Sequence, residues 1–210
     1  MEHRLVLASA STTRLRVLRE AGFDPEVVVS GVSEEVDDLD TARAVVELAE
    51  RKGSAVAHRC PESLVLSCDS MLDLDGQALG KPATASEATA VWRRLAGHRG
   101  TLHTGHSLID TGSGRRLARL ASTVVRFGTP TAAEVEAYVR SGEPLAMAGA
   151  FSLDGLGGPF VEGIEGDPSN VLGVSLPLFR HMLGDFGLSV TALWRGEVPN
   201  PGEIPTPERG

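Results

Sequence analysis

Apolar positions along the chain follow two rhythms, one near the helical period and one of two, and their order predicts alternating strands and helices. Leu5-Val6-Leu7-Ala8 is a short apolar run that turns polar at Ser9. Ser9-Ala10-Ser11-Thr12-Thr13-Arg14 then opens a segment with Leu15, Val17 and Leu18 that stops at Gly22, which reads as strand, turn and helix. Residues 26–30 are β-branched and predict a second strand, and residues 41–58 carry Val45, Val46, Leu48, Ala49 and Val56 at helical spacing. Leu64-Val65-Leu66 reads as a buried strand running into Asp69, and Asp75-Gly76 as the turn of a hairpin.

Two helix starts are marked by capping boxes, Thr84 with Glu87 and Thr131 with Glu134. Between them, 101–110 and 117–127 read as paired strands joined by Thr111-Gly112-Ser113-Gly114. Seven glycines fall in the 25 residues from Gly149 to Gly173, too many for a regular element, so the backbone there turns or approaches something closely. A helix over about 171–184 and a last strand over 189–194 follow. Residues 195–210 hold four prolines and three glycines and read as a disordered tail. The expected fold is one α/β domain, residues 1–194, around a mixed sheet.

Composition narrows the function classes. At 210 residues, 41% hydrophobic and 23% charged, the chain is globular and long enough for one core. Its 20 Lys plus Arg against 28 Asp plus Glu give a formal charge of -8 without a basic block, which argues against nucleic-acid and anionic-membrane partners. Cys60 and Cys68 read as reduced thiols. With no signal-peptide core and no apolar run approaching the ~18 residues of a membrane span, a cytoplasmic location is expected.

Several residues carry possible chemistry. Ser9 to Arg14, where a strand turns directly into a helix, offers backbone N–H groups, a positive dipole end and a guanidinium to an anion; the alternative is ordinary capping by Ser11 or Thr12. Asp69 sits at the exit of a buried strand. Lys52 and Lys81 suit phosphate oxygens, although each taken alone reads as a solvated surface lysine. His98, His103 and His106 raise a zinc reading, weakened because His103 and His106 are three apart in a strand and point to opposite faces. Cys68 reads as an inert buried thiol, and Glu162, Glu165 and Asp167 suit either a divalent cation or a soluble loop.

Taken in order, Leu7-Ala8-Ser9-Ala10-Ser11-x-x-Arg14, Lys52, Cys68-Asp69-Ser70, Leu79-Gly80-Lys81-Pro82, Gly149-Ala150-Phe151 with Gly155-Leu156-Gly157-Gly158, and Ile164-Glu165-Gly166-Asp167-x-x-Asn170-Val171-x-Gly173 resemble the Maf family of nucleoside triphosphate pyrophosphatases, most closely its actinobacterial members. The resemblance spans about residues 4 to 194. It implies an elongated α/β fold similar to the inosine triphosphate pyrophosphatases, and hydrolysis of a nucleoside triphosphate between the α and β phosphates with a divalent cation, Mg²⁺ or Mn²⁺. Under it, Asp69, Lys52 and Lys81 are catalytic, Glu34 and Asp69 hold the metal, and Ser9, Arg14, Thr13, Ser70 and Asp154 bind substrate. A homodimer is also implied.

The chain departs from the family pattern where Thr12-Thr13-Arg14 replaces Pro-Arg-Arg and Ser33 replaces an acidic residue. Thr13, Ser70 and Asp154 match neither the pyrimidine-preferring nor the 7-methylguanine-preferring set. An ionised Asp154 only accepts hydrogen bonds, which favours guanine-type and cytosine bases over uracil and thymine. The competing reading is a nucleotide-binding regulator of septation with little catalysis.

Overall fold

The computed structural model describes residues 4–34, 36 and 40–195. The expected disordered tail falls on 196–210, outside the described residues; Arg195 itself pairs with Asp24 and donates its backbone N–H to Gly22 O. Seven strands form one mixed sheet in the order β2-β1-β3-β5-β6-β7, with β4 paired to the far end of β3. They are β1 (Arg4–Leu7), β2 (Glu26–Val27), β3 (Ser63–Leu74), β4 (Gln77–Leu79), β5 (Arg99–Asp110), β6 (Arg116–Phe127) and β7 (Val161–Glu165). β1 runs parallel to β2 and β3, and the other pairings are antiparallel.

Helices cover both faces: α1 (Thr12–Glu20), α3 (Ala85–Leu95), α4 (Ala132–Arg140), the single turn α5 (Pro168–Val171) and α6 (Leu176–Asp185) on one, α2 (Thr41–Ala57) on the other. The capping reading holds in detail at Thr131, where side chain and Glu134 bond reciprocally. The β3–β4 turn carries Asp75 at φ 53° and Gly76 at φ 79°, the positive pair that a type I′ hairpin requires.

The alternation of β3 explains how the faces differ. Leu64, Leu66, Cys68, Leu72 and Leu74 point to the face of α1, α3, α4 and α6, whereas Val65 packs under α2. Two glycines let α2 lie unusually close. A Cβ on Gly105 of β5 would stand 2.1 Å from Val45 O, and one on Gly53 would stand 2.6 Å from Ser67 Oγ. Ser67 Oγ donates to Ala49 O at 2.7 Å on the same side.

On the opposite face the apolar pattern breaks. Cys68 belongs to a core formed with α1 and α6, Leu72 to a second core formed with α3 and α4, and Ser70 lies between them on the strand. Thr104 and His106 make the matching break on β5, and Asn170 of α5 covers it, donating to Leu102 O and Thr123 Oγ1.

Four local expectations need correction. The second strand is only Glu26–Val27, since β2 is an exposed edge paired with two residues of β1. The glycine-rich stretch does contain regular structure, namely β7 and α5. The helix expected over 171–184 is interrupted: α5 ends at Val171, Gly173 takes φ 96°, and Ser175 caps a separate α6. The last expected strand, 189–194, is a 3₁₀ turn (Val190–Leu193) capped by Ser189, with Trp194 alone bridging to Phe23.

Candidate functional site

β1 is the strand at which the chain changes faces, because α1 returns to β2 on one side and α2 crosses to β3 on the other. In open α/β sheets such a point leaves a crevice beyond the carboxyl end of the strand. Here β1 ends at Leu7 while β3 continues past it, so Asp69 and Ser70 project from opposite faces beside the Ala8–Ser11 turn. A cleft of about 610 Å³ opens there, and all nine residues expected to act lie on its wall: Ser9, Thr13, Arg14, Glu34, Lys52, Asp69, Ser70, Lys81 and Asp154.

Its floor on the α2 side is charged. Lys52 Nζ donates to Asp69 Oδ1 at 2.5 Å and to Glu34 Oε1 at 2.6 Å. Lys52 and Asp69 are only 7% and 6% exposed, so Lys52 is no surface lysine, contrary to what its residue type suggests. It is buried because Gly53 and Gly105 bring α2 down onto β3 and β5. Lys81, after β4, is exposed at the rim as expected. The hydrogen bond from Lys52 holds the Glu34 carboxyl below its usual range against the opposing effect of burial, with Lys81 and Arg14 adding to the lowering.

The other wall is organised by Arg14. Its Nε donates to Gly173 O at 2.8 Å, Nη1 to Ser9 Oγ at 3.2 Å and Nη2 to Ser70 Oγ at 3.0 Å, while Ser70 Oγ meets Thr104 Oγ1 at 3.0 Å. One guanidinium thus ties the first turn, β3 and the segment before α6 together. Ser11 caps α1, its Oγ accepting from Arg14 N at 3.3 Å, so capping and a cleft-facing first turn coexist. Asp154 reaches the cleft from the glycine-rich loop, and its carboxylate is ion-paired with Arg16 of α1.

The remaining candidates lie elsewhere. Cys68 is fully buried, and burial pushes its thiol up to about 12, which keeps it protonated and unreactive. Asp167 caps α5 through Ser169 N at 2.9 Å, and Glu165 pairs with Arg99 at 3.3 Å. His103 Nδ1 lies 2.8 Å from Ser122 Oγ, while His106 is enclosed in the core. Among the described residues, no three His, Cys, Asp or Glu side chains gather as a metal site. The donor set nevertheless suits a hard divalent cation: two carboxylates already converge on one ammonium, each with a second oxygen to offer, and phosphate oxygens of a ligand would complete the shell.

His106 is not on the cleft wall but supports it from the core, a role that sequence reasoning passed over in weighing it only as a zinc candidate. Its Nε2 accepts from Ser175 N at 2.8 Å and its Nδ1 faces Thr104 O at 3.1 Å, so the neutral ring fixes the start of α6 beside Gly173 and Arg14. Burial pushes its pKa down to about 4 from 6.5. Between those values the unfolded chain binds the proton and the folded one does not, so stability is complete above 6.5 and falls as pH drops towards 4. The expected loss is about 3 kcal/mol from this residue. Thermal unfolding across that window should show a shallower slope for His106→Gln than for the natural sequence, and equal slopes would contradict the assignment.

Comparison with known proteins identifies the family. The family model for Maf-like proteins matches residues 4–186. The Nucleoside triphosphate pyrophosphatase of Streptomyces coelicolor is 58% identical over 195 residues, covering 91% of this chain and 94% of that protein. Proteins of the same name from Mycobacterium sp. (strain JLS) and Salinispora tropica are 52% and 49% identical, covering 92% and 98% of this chain and 99% and 95% of theirs. A solved structure, the Staphylococcus aureus Ham1 protein, aligns at 16% identity with a TM-score of 0.42, covering 60% of this chain and 72% of that one. A family match over most of the length, with identities of this size, makes the chain a member of the Maf-like protein family.

Proposed function

We propose that this protein hydrolyses nucleoside triphosphates between the α and β phosphates, releasing a nucleoside monophosphate and pyrophosphate. The observation that carries the reading is the buried Asp69–Lys52 pair, joined by the exposed Glu34 carboxylate, in a cleft whose other walls offer Arg14, Lys81 and the first turn of α1. The relatives' shared name points the same way.

A triphosphate brings about four negative charges near neutral pH, and cleavage concentrates charge on the departing pyrophosphate. Lys81 is exposed at the rim, where it can follow that charge, whereas Arg14, with all three nitrogens committed to Ser9, Ser70 and Gly173, contributes a fixed positive field and the shape of the wall. Lys52 holds one oxygen of Asp69, which orients the other to take a proton from water attacking the α phosphorus. The bond from that phosphorus to the bridging oxygen breaks, and the oxygen leaves on pyrophosphate. Glu34 and Asp69 would hold a divalent cation, Mg²⁺ or Mn²⁺, which when bound neutralises phosphate charge.

The reading is tested by pyrophosphate release from a panel of normal and base-modified nucleoside triphosphates with Mg²⁺, Mn²⁺ or excess chelator. Metal-dependent release from at least one nucleotide is expected. No release from any of them would point instead to a nucleotide-binding role.

The base end of the cleft is apolar, lined by Met71, Met147, Phe151 and Leu153, with Asp154 as its charged rim. Because Arg16 already occupies the Asp154 carboxylate, only part of its accepting capacity is left for a base edge. Asp154→Gln adds a donor and releases Arg16. The variant is expected to gain several-fold on uridine and thymidine triphosphates relative to guanosine triphosphate, and an unchanged ranking would remove Asp154 from base recognition.

A further inference from the structure

The loop that carries Leu153 and Asp154 into the cleft has almost no regular structure, yet one side chain behind it collects its hydrogen bonds. Glu143 follows Gly142, which turns the chain after α4 at φ 79°. Its Oε1 accepts from Ser152 Oγ at 2.5 Å, Gly157 N at 3.1 Å and Tyr138 Oη at 2.9 Å, and its Oε2 accepts from Leu156 N at 3.0 Å. Four donors on one carboxylate, two of them backbone N–H groups, make a charge-assisted staple across the loop. Glycine is required for that approach, since a Cβ on Gly155 would lie 2.5 Å from Glu143 Oε2, and one on Gly157 would lie 2.5 Å from Tyr138 Oη.

The staple is anchored to the core and separated from the phosphate end. Tyr138 packs edge-to-face on Trp92 and Phe160, each with ring centroids 5.7 Å away. Burial pushes the Glu143 carboxyl up, but the hydrogen bonds from Ser152, Leu156, Tyr138 and Gly157 outweigh it and hold the group ionised. Among the described residues, the hydrogen bonds of this staple and those of the Asp69–Lys52–Glu34 cluster share no member. On the other side of the loop Arg16 grips Asp154, so the segment is held from both flanks and Glu143 is its inner one.

We infer that Glu143 is a positioning residue for base selectivity, holding the 152–157 loop as the wall against which the base of the nucleotide is sorted. The inference rests on the reading of the cleft as a nucleoside triphosphate site. Truncating the staple frees the base wall and leaves the hydrolytic cluster in place.

Steady-state kinetics with ATP, GTP, CTP and UTP, together with amide hydrogen exchange, test it on the full chain carrying Glu143→Gln, and on Tyr138→Phe should the first variant fold poorly. For Glu143→Gln, exchange at Leu156 and Gly157 should quicken by about tenfold or more. The spread of kcat/KM among the four nucleotides should shrink by about threefold or more through KM, with kcat of the preferred nucleotide changed by less than about threefold. Tyr138→Phe should shift both readouts the same way by less, and Glu143→Asp should recover part of the spread. A uniform fall in kcat/KM for all four nucleotides that tracks a lowered Tm would overturn the inference and leave Glu143 a purely structural group. Unchanged exchange would overturn it too. If the unmodified protein turned over none of the four nor any base-modified nucleoside triphosphate, the functional reading itself would fall, while exchange would still decide whether Glu143 holds the loop.

Discussion

Asp69→Asn is expected to lose turnover by about 10²-fold or more while remaining folded, because it removes the carboxylate proposed as general base but keeps the shape of the side chain. The amide oxygen can still accept from Lys52 Nζ, so the contact that orients position 69 survives in weaker form. Glu34 stays paired with the same ammonium and continues to balance it. Steady-state pyrophosphate release beside a thermal melt checks both halves. Near-normal turnover in a folded variant would take Asp69 out of the chemistry, and collapse of the fold would make it structural.

Lys52→Met should have the second large effect, and on two quantities at once. Deleting a cation between two carboxylates, one of them almost fully enclosed, leaves uncompensated negative charge, and breaking a buried pair costs about 3 kcal/mol or more. Turnover should fall as well, since the phosphate charge loses a partner and Asp69 its orientation. The stability difference has a predictable pH dependence. Glu34 is held below its usual range by Lys52, so its share of the wild-type advantage is complete above the ordinary glutamate pKa and lost as pH falls through the lowered folded value. Chemical denaturation at neutral and acidic pH measures this. A variant as stable as the natural sequence at neutral pH would show that the cluster is solvated.

The contrast between Lys52 and Lys81 shows where sequence stops. Both stand beside glycine, in Lys52-Gly53 and Gly80-Lys81, and both read as surface residues by type. Only the close approach of α2, set by Gly53 and by Gly105 on a distant strand, buries one of them. That approach joins positions 52 residues apart in sequence and has no local signature. This part of the cleft wall was legible nonetheless, because Ser9, Asp69 and Ser70 are polar residues at the ends of otherwise buried apolar runs, and such breaks mark where a strand leaves the core. The same rule would have found Thr104 and His106, which interrupt the inward face of β5 between Leu102 and Leu108.

Glu143 was invisible for a different reason. Nothing near it predicts four acceptor contacts, since three of its donors lie nine to fourteen residues further on and reach it only once glycines let the loop fold back. The helix expected across 171–184 failed on a signal that was present: Gly173, then Ser175 ahead of Pro177, is a stop followed by a capped start. The last expected strand, 189–194, had suitable residues but no long neighbour, since β1 already lies between β2 and β3 and Phe23 offers a single bridge.

Which phosphoanhydride bond breaks is decided by ³¹P NMR analysis of the products formed from a nucleoside triphosphate incubated with the protein and Mg²⁺. The proposed reaction predicts nucleoside monophosphate and pyrophosphate in equal amounts, both formed about 10²-fold or more slowly with Asp69→Asn. Nucleoside diphosphate with orthophosphate, or products that persist undiminished in that variant, would contradict it.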